Sequence, residues 1–310
     1  MARKLRLEYP GALYHVMNRG DRREPIFRSD QDRALFLDTL AETCQKTGWQ
    51  VHALCLMHNH FHVVIETPSA NLVAGMKWFL GTYTSRFNHR HKLCGHLFSG
   101  RYKCLIVDGS GTNYLRTVCD YVHLNPSRAR LLAPHEKLAG YRWSSYPAYL
   151  LPARKRPAWL RVDRLLGDHG LHSDSKAARR EFASRMEARR KPELDREWNA
   201  VRRGWCLGGK GFRQALLKEM RELSGPNHGG QARRETEEAW AEQLAADELR
   251  RRGWTPEELS KRRKGDLTKI EIAHRLRQET TMTLNWITKR LNMGTQGSLA
   301  NLLQKAKKAP

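Results

Sequence analysis

The sequence predicts an α+β protein: a ferredoxin-like antiparallel sheet with helices, followed by a helical C-terminal region. Two observations predict it. Between residues 11 and 124, short β-prone runs and segments of helical period follow one another in the order β-α-β-β-α-β-α. Beyond residue 150 the readable periodicity is helical. A chain of 310 residues is also long enough for a sizeable core and more than one domain. The expected division is an α+β domain over 1–150, a basic helical extension and linker over 151–230, and a helical module over 231–310.

Residues 11–17 read as the first strand, opening after Pro10. Residues 29–47 read as a helix, which Ser29 or Asp30 can cap and whose apolar positions Leu35, Phe36 and Leu40 are helically spaced. Residues 49–66 suggest two strands. Residues 70–90 suggest a second helix, with Leu72, Met76, Phe79 and Tyr83 on one stripe. Residues 101–107 suggest another strand, and 111–124 a helix that Pro126 should end or kink. Ala177 to Arg190 is a strongly basic helix candidate, and Ser224 to Gly230 a candidate linker. Over 255–305, Ile270 to Leu276, Leu284 to Leu291 and Ser298 to Lys305 suggest three helices, the last two separated by a turn at Met293–Gly297. That pattern suggests a helix-turn-helix, whose second helix would enter a DNA groove.

The chain holds 56 Lys and Arg against 32 Asp and Glu, a net charge of +24. Such an excess points to a polyanionic partner, most simply nucleic acid. Residues 1–150 carry 20 basic and 11 acidic residues, and 151–310 carry 36 and 21, so both halves can meet phosphate. The basic N-terminus, Met1 to Arg6, has no apolar stretch behind it, so no secretion signal is expected. No run of about 18 apolar residues predicts a membrane span. The six cysteines form no CxxC pair and read as reduced thiols. The expected location is the cytoplasm, in association with the nucleoid.

His60-Phe61-His62 carries the chemistry. On a strand, side chains alternate, so the two histidines face one way and Phe61 the other. Two imidazoles on one strand face can hold a divalent metal. His58 lies on the same predicted face and reads as a supporting or strand-end residue. Tyr121 and Asn125 are one helical turn apart and share a face, offering a nucleophilic hydroxyl beside a third metal ligand. Tyr114, seven residues earlier, is the rival nucleophile, whereas His123 falls off the Tyr121 face. Gly204 to Lys210 approaches a phosphate loop but has Gly211 where Ser or Thr is needed.

His60-Phe61-His62 resembles the HUH motif, in which U is a bulky hydrophobic residue. With its single tyrosine on a later helix, the chain resembles the REP-associated tyrosine transposases among the single-tyrosine HUH enzymes. His15-Val16-Met17-Asn18-Arg19-Gly20-Asp21-Arg22-Arg23, Gly95-His96-Leu97-Phe98-Ser99-Gly100-Arg101-Tyr102-Lys103, Tyr121-Val122-His123-Leu124-Asn125-Pro126-Ser127-Arg128-Ala129 and Trp143-Ser144-Ser145-Tyr146 extend the likeness over about residues 10–150. The resemblance implies an HUH endonuclease core that cleaves and transfers single-stranded DNA at hairpin-forming palindromic repeats. It also implies Tyr121 as the nucleophile of a 5′-phosphotyrosine intermediate, Mg²⁺ or Mn²⁺ held by His60, His62 and Asn125, and a monomer or homodimer. Asn125 stands where smaller insertion-sequence relatives commonly have Gln, one methylene longer. Arg19, Arg22, Arg23, Arg101, Lys103 and Arg128 are the candidate DNA contacts, with Arg86 beside them. Phe98 and Tyr102 can stack on an unpaired base or pack in the core. Two rival readings remain open on the sequence: a hairpin-binding regulator that does not cleave, and an HUH relaxase or replication initiator.

Overall fold

Pro10 and Gly11 turn the chain into strand β1 (Ala12–Arg19), and the predicted order of elements follows. The computed structural model describes residues 6–110, 113–190, 198–222 and 231–306, so the candidate linker lies outside the described residues. After β1 come α1 (Asp30–Thr47), β2 (Gln50–Leu56), β3 (His60–Thr67), α2 (Leu72–His91), β4 (Lys103–Val107) and α3 (Tyr114–Arg128). The sequence of α1 encodes both of its ends. Ser29 and Asp32 form a reciprocal capping box at its start, and Gly48, at φ +71°, takes the left-handed cap at its end.

β1 lies between β3 and β4 and is antiparallel to both, and β2 pairs antiparallel with β3. The order β2-β3-β1-β4 is the ferredoxin-like arrangement of a split βαβ. The sheet differs from expectation at one edge, where β5 (Cys206–Leu207) adds to β4 in parallel. A two-residue strand has no alternation to read, and its pairing comes from the open edge of β4. A second difference concerns α3, which runs two residues past Pro126. A proline there forfeits only its own N–H bond to the preceding turn, and the Ala129 N–H still closes on the Asn125 carbonyl at 2.9 Å.

Strand alternation gives the sheet two unlike faces. On one, Phe61 packs against Phe36 and Phe79 with ring centroids 5.0 and 6.2 Å away, and against Phe98 at 6.1 Å. On the other, Leu13, Ala53, Cys55, Val64, Leu105 and Val107 meet Val118, Tyr121 and Val122 of α3. The same core continues through Tyr149 of α4 (Tyr146–Tyr149), Leu165 of α5 (Asp163–Asp168), Phe182 of α6 (Lys176–Ala188), Val201 of α7 (Asn199–Arg203) and Leu207 of β5. α8 (Lys210–Glu222) closes this part of the chain.

The chain divides into two compact units, one of residues 1–72 and 79–225, the other of residues 73–78 and 226–310. The second contains α9 (Gln231–Arg251), α10 (Pro256–Lys261), α11 (Leu267–Glu279), α12 (Leu284–Arg290) and α13 (Gln296–Ala306). Its core is built from Leu244, Ile272, Leu276, Ile287, Leu291 and Leu299, and α12 and α13 pack on α11 and on each other. No helix among the described residues is long and apolar enough to cross a membrane. The six cysteines are free thiols.

Glu66, near the end of β3, ties the sheet to the residues after 150. Its carboxylate accepts from Arg164 at 2.9 Å and from Arg161 at 3.2 Å, and lies 2.9 Å from His52 Nε2. The hydrogen bond with His52, aided by Arg164, holds the carboxyl at about 2, below its usual 4.5. A depressed carboxyl contributes stability above pH 4.5 and loses it as pH falls through about 2. Glu66→Gln is therefore expected to lower the urea midpoint at pH 7, with the deficit shrinking between pH 4.5 and 2 in unfolding curves measured across that range.

Candidate active site

His60 and His62 point away from the aromatic core because Phe61 points into it. Their ring centroids are 5.1 Å apart. α3 lays Tyr121 over this face, its ring edge-on to His62 at 5.8 Å. The strand register adds a residue to which sequence reasoning assigned no role. His15 of β1 pairs with Val64, so it lies diagonally across from His62 on the same face. Its ring stacks on His62 at 5.2 Å, with Nε2 3.0 Å from His62 Nδ1, and also meets Tyr121 edge-on at 5.8 Å. His15 was visible only as the start of a motif, because its role depends on a pairing 47 residues away.

Hydrogen bonding orients the two candidate ligands. The Asn59 amide donates to the Arg23 carbonyl at 2.8 Å, which turns its oxygen toward His60 Nδ1 at 2.9 Å. An amide oxygen only accepts, so His60 carries its hydrogen on Nδ1 and presents a lone pair on Nε2. The His15–His62 contact allows either direction; with His62 donating, its Nε2 is likewise a lone pair. Burial pushes His15 and His60 from 6.5 down to about 4, and burial together with the neighbouring His15 pushes His62 well below 6.5. All three are thus neutral near pH 7, the state a metal ligand requires.

Asn125 lies one turn beyond Tyr121 on the same α3 face, buried, with an amide nitrogen that has no hydrogen-bond partner. The Arg128 guanidinium lies 4.9 Å from the centre of the Tyr121 ring. Arg19 ends β1 opposite His60 in the register, close enough for its charge to lower His60 further. Arg22 and Arg23 follow in a tight exposed turn, at φ 51° and 63°. Gly20 opens that turn, where a Cβ would come within 2.1 Å of the Glu24 carbonyl oxygen. The loop ahead of β4 docks on the same segment, the Ser99 N–H bonding the Arg19 carbonyl and the Asp21 N–H the Leu97 carbonyl. Arg101 and Lys103 are exposed there, and Lys103 pairs with Met17. Five of the six candidate contacts therefore lie at the sheet end where β1 finishes and β3 and β4 begin, and the sixth, Arg128, lies over the tyrosine.

Other candidates go elsewhere. His58 is off the strand, exposed in the turn between β2 and β3, because the Met57 N–H closes the hairpin on the His60 carbonyl. His123 is a buried core residue, 2.9 Å from Ser145 Oγ and flanked by Tyr146 and Tyr149. Phe98 and Tyr102 are buried, Phe98 against Phe61 and Tyr83. Arg86 is engaged by Glu42 and Thr39. Among the described residues no three His, Cys, Asp or Glu side chains are grouped to hold a metal.

The family described as "Transposase IS200 like" matches residues 9–125. No curated protein matches the chain. A solved structure of a REP-associated tyrosine transposase bound to a REP hairpin is similar at a TM-score of 0.40, with 14% identity, covering 48% of this chain and 86% of the other.

His15→Phe retains a ring beside His62 but removes the nitrogen facing it. The His62 tautomer is expected to change from a single species to a mixture, seen in long-range ¹H–¹⁵N spectra of the imidazoles. An unchanged His62 pattern would show that His15 does not orient it.

Proposed function

We propose that this chain, whose residues 9–125 match the IS200-like transposase family, cleaves and rejoins single-stranded DNA through Tyr121. The observation that carries the reading is the Tyr121 ring held 5.8 Å from His62, on the sheet face that also presents His60. We read residues 1–150 as the catalytic domain, 151–230 as its extension and 231–310 as a further DNA-binding module.

Two neutral imidazoles, His60 with its Nε2 lone pair fixed by Asn59, would accept Mn²⁺, with the Asn125 amide oxygen as the third donor, and the motif resemblance extends this to Mg²⁺. Such an ion, when bound, would polarise the scissile phosphate and stabilise the departing oxygen. Tyr121 does the bond-making. Its phenolic oxygen bonds to phosphorus as the bond to the 3′-oxygen breaks; the phenolic proton passes to water, and the 3′-oxygen takes one up. A 5′-phosphotyrosine and a 3′-hydroxyl result. One phosphoester replaces another, so attack by a second 3′-hydroxyl reverses the step without ATP. Arg128, over the ring, favours the developing phenolate. Arg19, Arg22, Arg23, Arg101 and Lys103 neutralise backbone phosphates at the sheet end.

The motif resemblance supports a hairpin-forming palindromic repeat as substrate. The expected assembly is a monomer or a homodimer, and within one chain the Tyr121 ring reaches His62. In the second unit, α13 exposes Gln296, Ser298, Asn301, Gln304 and Lys305, a polar face suited to duplex DNA.

Purified protein with Mn²⁺ and end-labelled single-stranded hairpins is expected to give a covalent adduct on a denaturing gel. Tyr121→Phe should abolish the adduct and keep hairpin binding, whereas His60→Ala should slow its formation by about 10²-fold. An adduct that survives Tyr121→Phe would refute the nucleophile. The proposed ligands, two imidazoles and an amide, include no carboxylate, and the charges of Arg19 and Arg128 reach His62. Mn²⁺ should therefore bind Tyr121→Phe weakly alone and at least about tenfold more tightly with hairpin DNA, whose phosphate supplies the missing negative charge. Electron paramagnetic resonance titration of free Mn²⁺ reads this directly.

A further inference from the structure

Trp198, 1% exposed, lies outside the segment matched by the family and yet against the candidate nucleophile. Its ring centroid is 5.8 Å from that of Tyr121, at an interplanar angle of 49°. The Arg189 guanidinium covers the Trp198 ring at 5.5 Å, and its Nε lies 3.2 Å from Asp120 Oδ2. The other oxygen of Asp120 lies 3.0 Å from His169 Nε2. His169 is itself held, its carbonyl accepting from Arg185 and its ring packed on Phe182 of α6 at 5.0 Å. The residue immediately before Tyr121 is therefore a fully buried carboxylate with one oxygen on each of two residues from the extension.

This arrangement does more than fill a core. A buried ion pair is weak support for stability, because desolvation offsets most of its attraction, but separating its members would leave the Asp120 charge buried and uncompensated, which ties Asp120 to His169 and Arg189. Consecutive helix residues point about 100° apart, so Asp120 faces the extension while Tyr121 faces the histidines. A grip on Asp120 sets the rotation of α3 about its axis, and with it the direction of the phenol. Trp198 then limits the ring from a second side. Displacing a reacting group by about 1 Å can cost about 10²-fold in rate, so a constraint at this point bears on chemistry.

We propose that His169, Arg189 and Trp198 are positioning residues that brace α3 and aim Tyr121 at the scissile phosphate. The inference rests on Tyr121 being the nucleophile. It makes the extension part of the active site: a chain cut to the family-matched segment would keep the histidines and the tyrosine and lose their alignment.

The test uses the full chain with Trp198→Leu, Trp198→Phe and Asp120→Asn, a labelled single-stranded hairpin and Mn²⁺. Three quantities are measured: single-turnover adduct formation, hairpin affinity and the folded fraction at the assay temperature. Trp198→Leu and Asp120→Asn are expected to slow adduct formation by about 10–100-fold with hairpin affinity within about twofold and the protein folded, and Trp198→Phe to restore most of the rate. Full rates in folded variants would overturn the brace. So would a loss of rate that only tracks the folded fraction and recovers on cooling. A second readout needs no cleavage. With 3-fluorotyrosine at position 121, the wild type should give one narrow ¹⁹F line, which Trp198→Leu broadens or splits; an unchanged line overturns the brace. If the wild type forms no adduct, the cleavage reading fails while the ¹⁹F comparison still decides the brace.

Discussion

The period of two along β3 is the constraint on which the site depends. Phe61 is committed to the aromatic core with Phe36, Phe79 and Phe98. Burying one such ring contributes on the order of 1.5–3 kcal/mol. A slip of one residue would expel that ring and drive two imidazoles into an apolar layer with no partners. The hydrophobic side of the strand thus holds the register, and the histidines are delivered to the opposite face as its consequence. His15 adds to this from β1, since the same register sets it diagonal to His62.

The second constraint is the burial of α3. Its Val118, Cys119 and Val122 join a core that runs from the sheet to Phe182, Trp198 and Leu207. Apolar packing holds the helix down but leaves its rotation and sliding weakly specified. Polar contacts supply direction. Tyr149 donates to the His52 carbonyl, Ser145 Oγ accepts from the Leu54 N–H, and Arg161 and Arg164 reach Glu66. These bonds join β2 and β3 to segments about 100 residues later, so the sheet and the segments from Ser145 to Arg164 form one polar-stitched body.

The large positive charge divides into two populations. Arg156, Arg161, Arg164 and Arg190 are engaged by carboxylates or carbonyls and serve the fold. Arg22, Arg23, Arg101 and Lys103 are exposed at one end of the sheet, where the histidines also emerge. Net charge alone merges these groups; position separates the arginines that hold the structure from those offered to a polyanion.

The sequence by itself determined the order of the elements, the common face of His60 and His62, and the shared helix face of Tyr121 and Asn125. Each of these follows from a local period of 2 or 3.6 residues, which is written in the chain. Even the ends of α1 were legible, because Ser29 caps through a residue three positions on. Only the tertiary structure decided that His15 joins His62, that Phe98 and Tyr102 pack in the core, and that His58 falls in a turn. Only it paired Cys206 and Leu207 with β4, and set Trp198, Arg189 and His169 around Asp120 and Tyr121. The reason is range: a period names the face a side chain occupies, while the partner on that face is chosen by strand register and by packing between segments far apart in the chain.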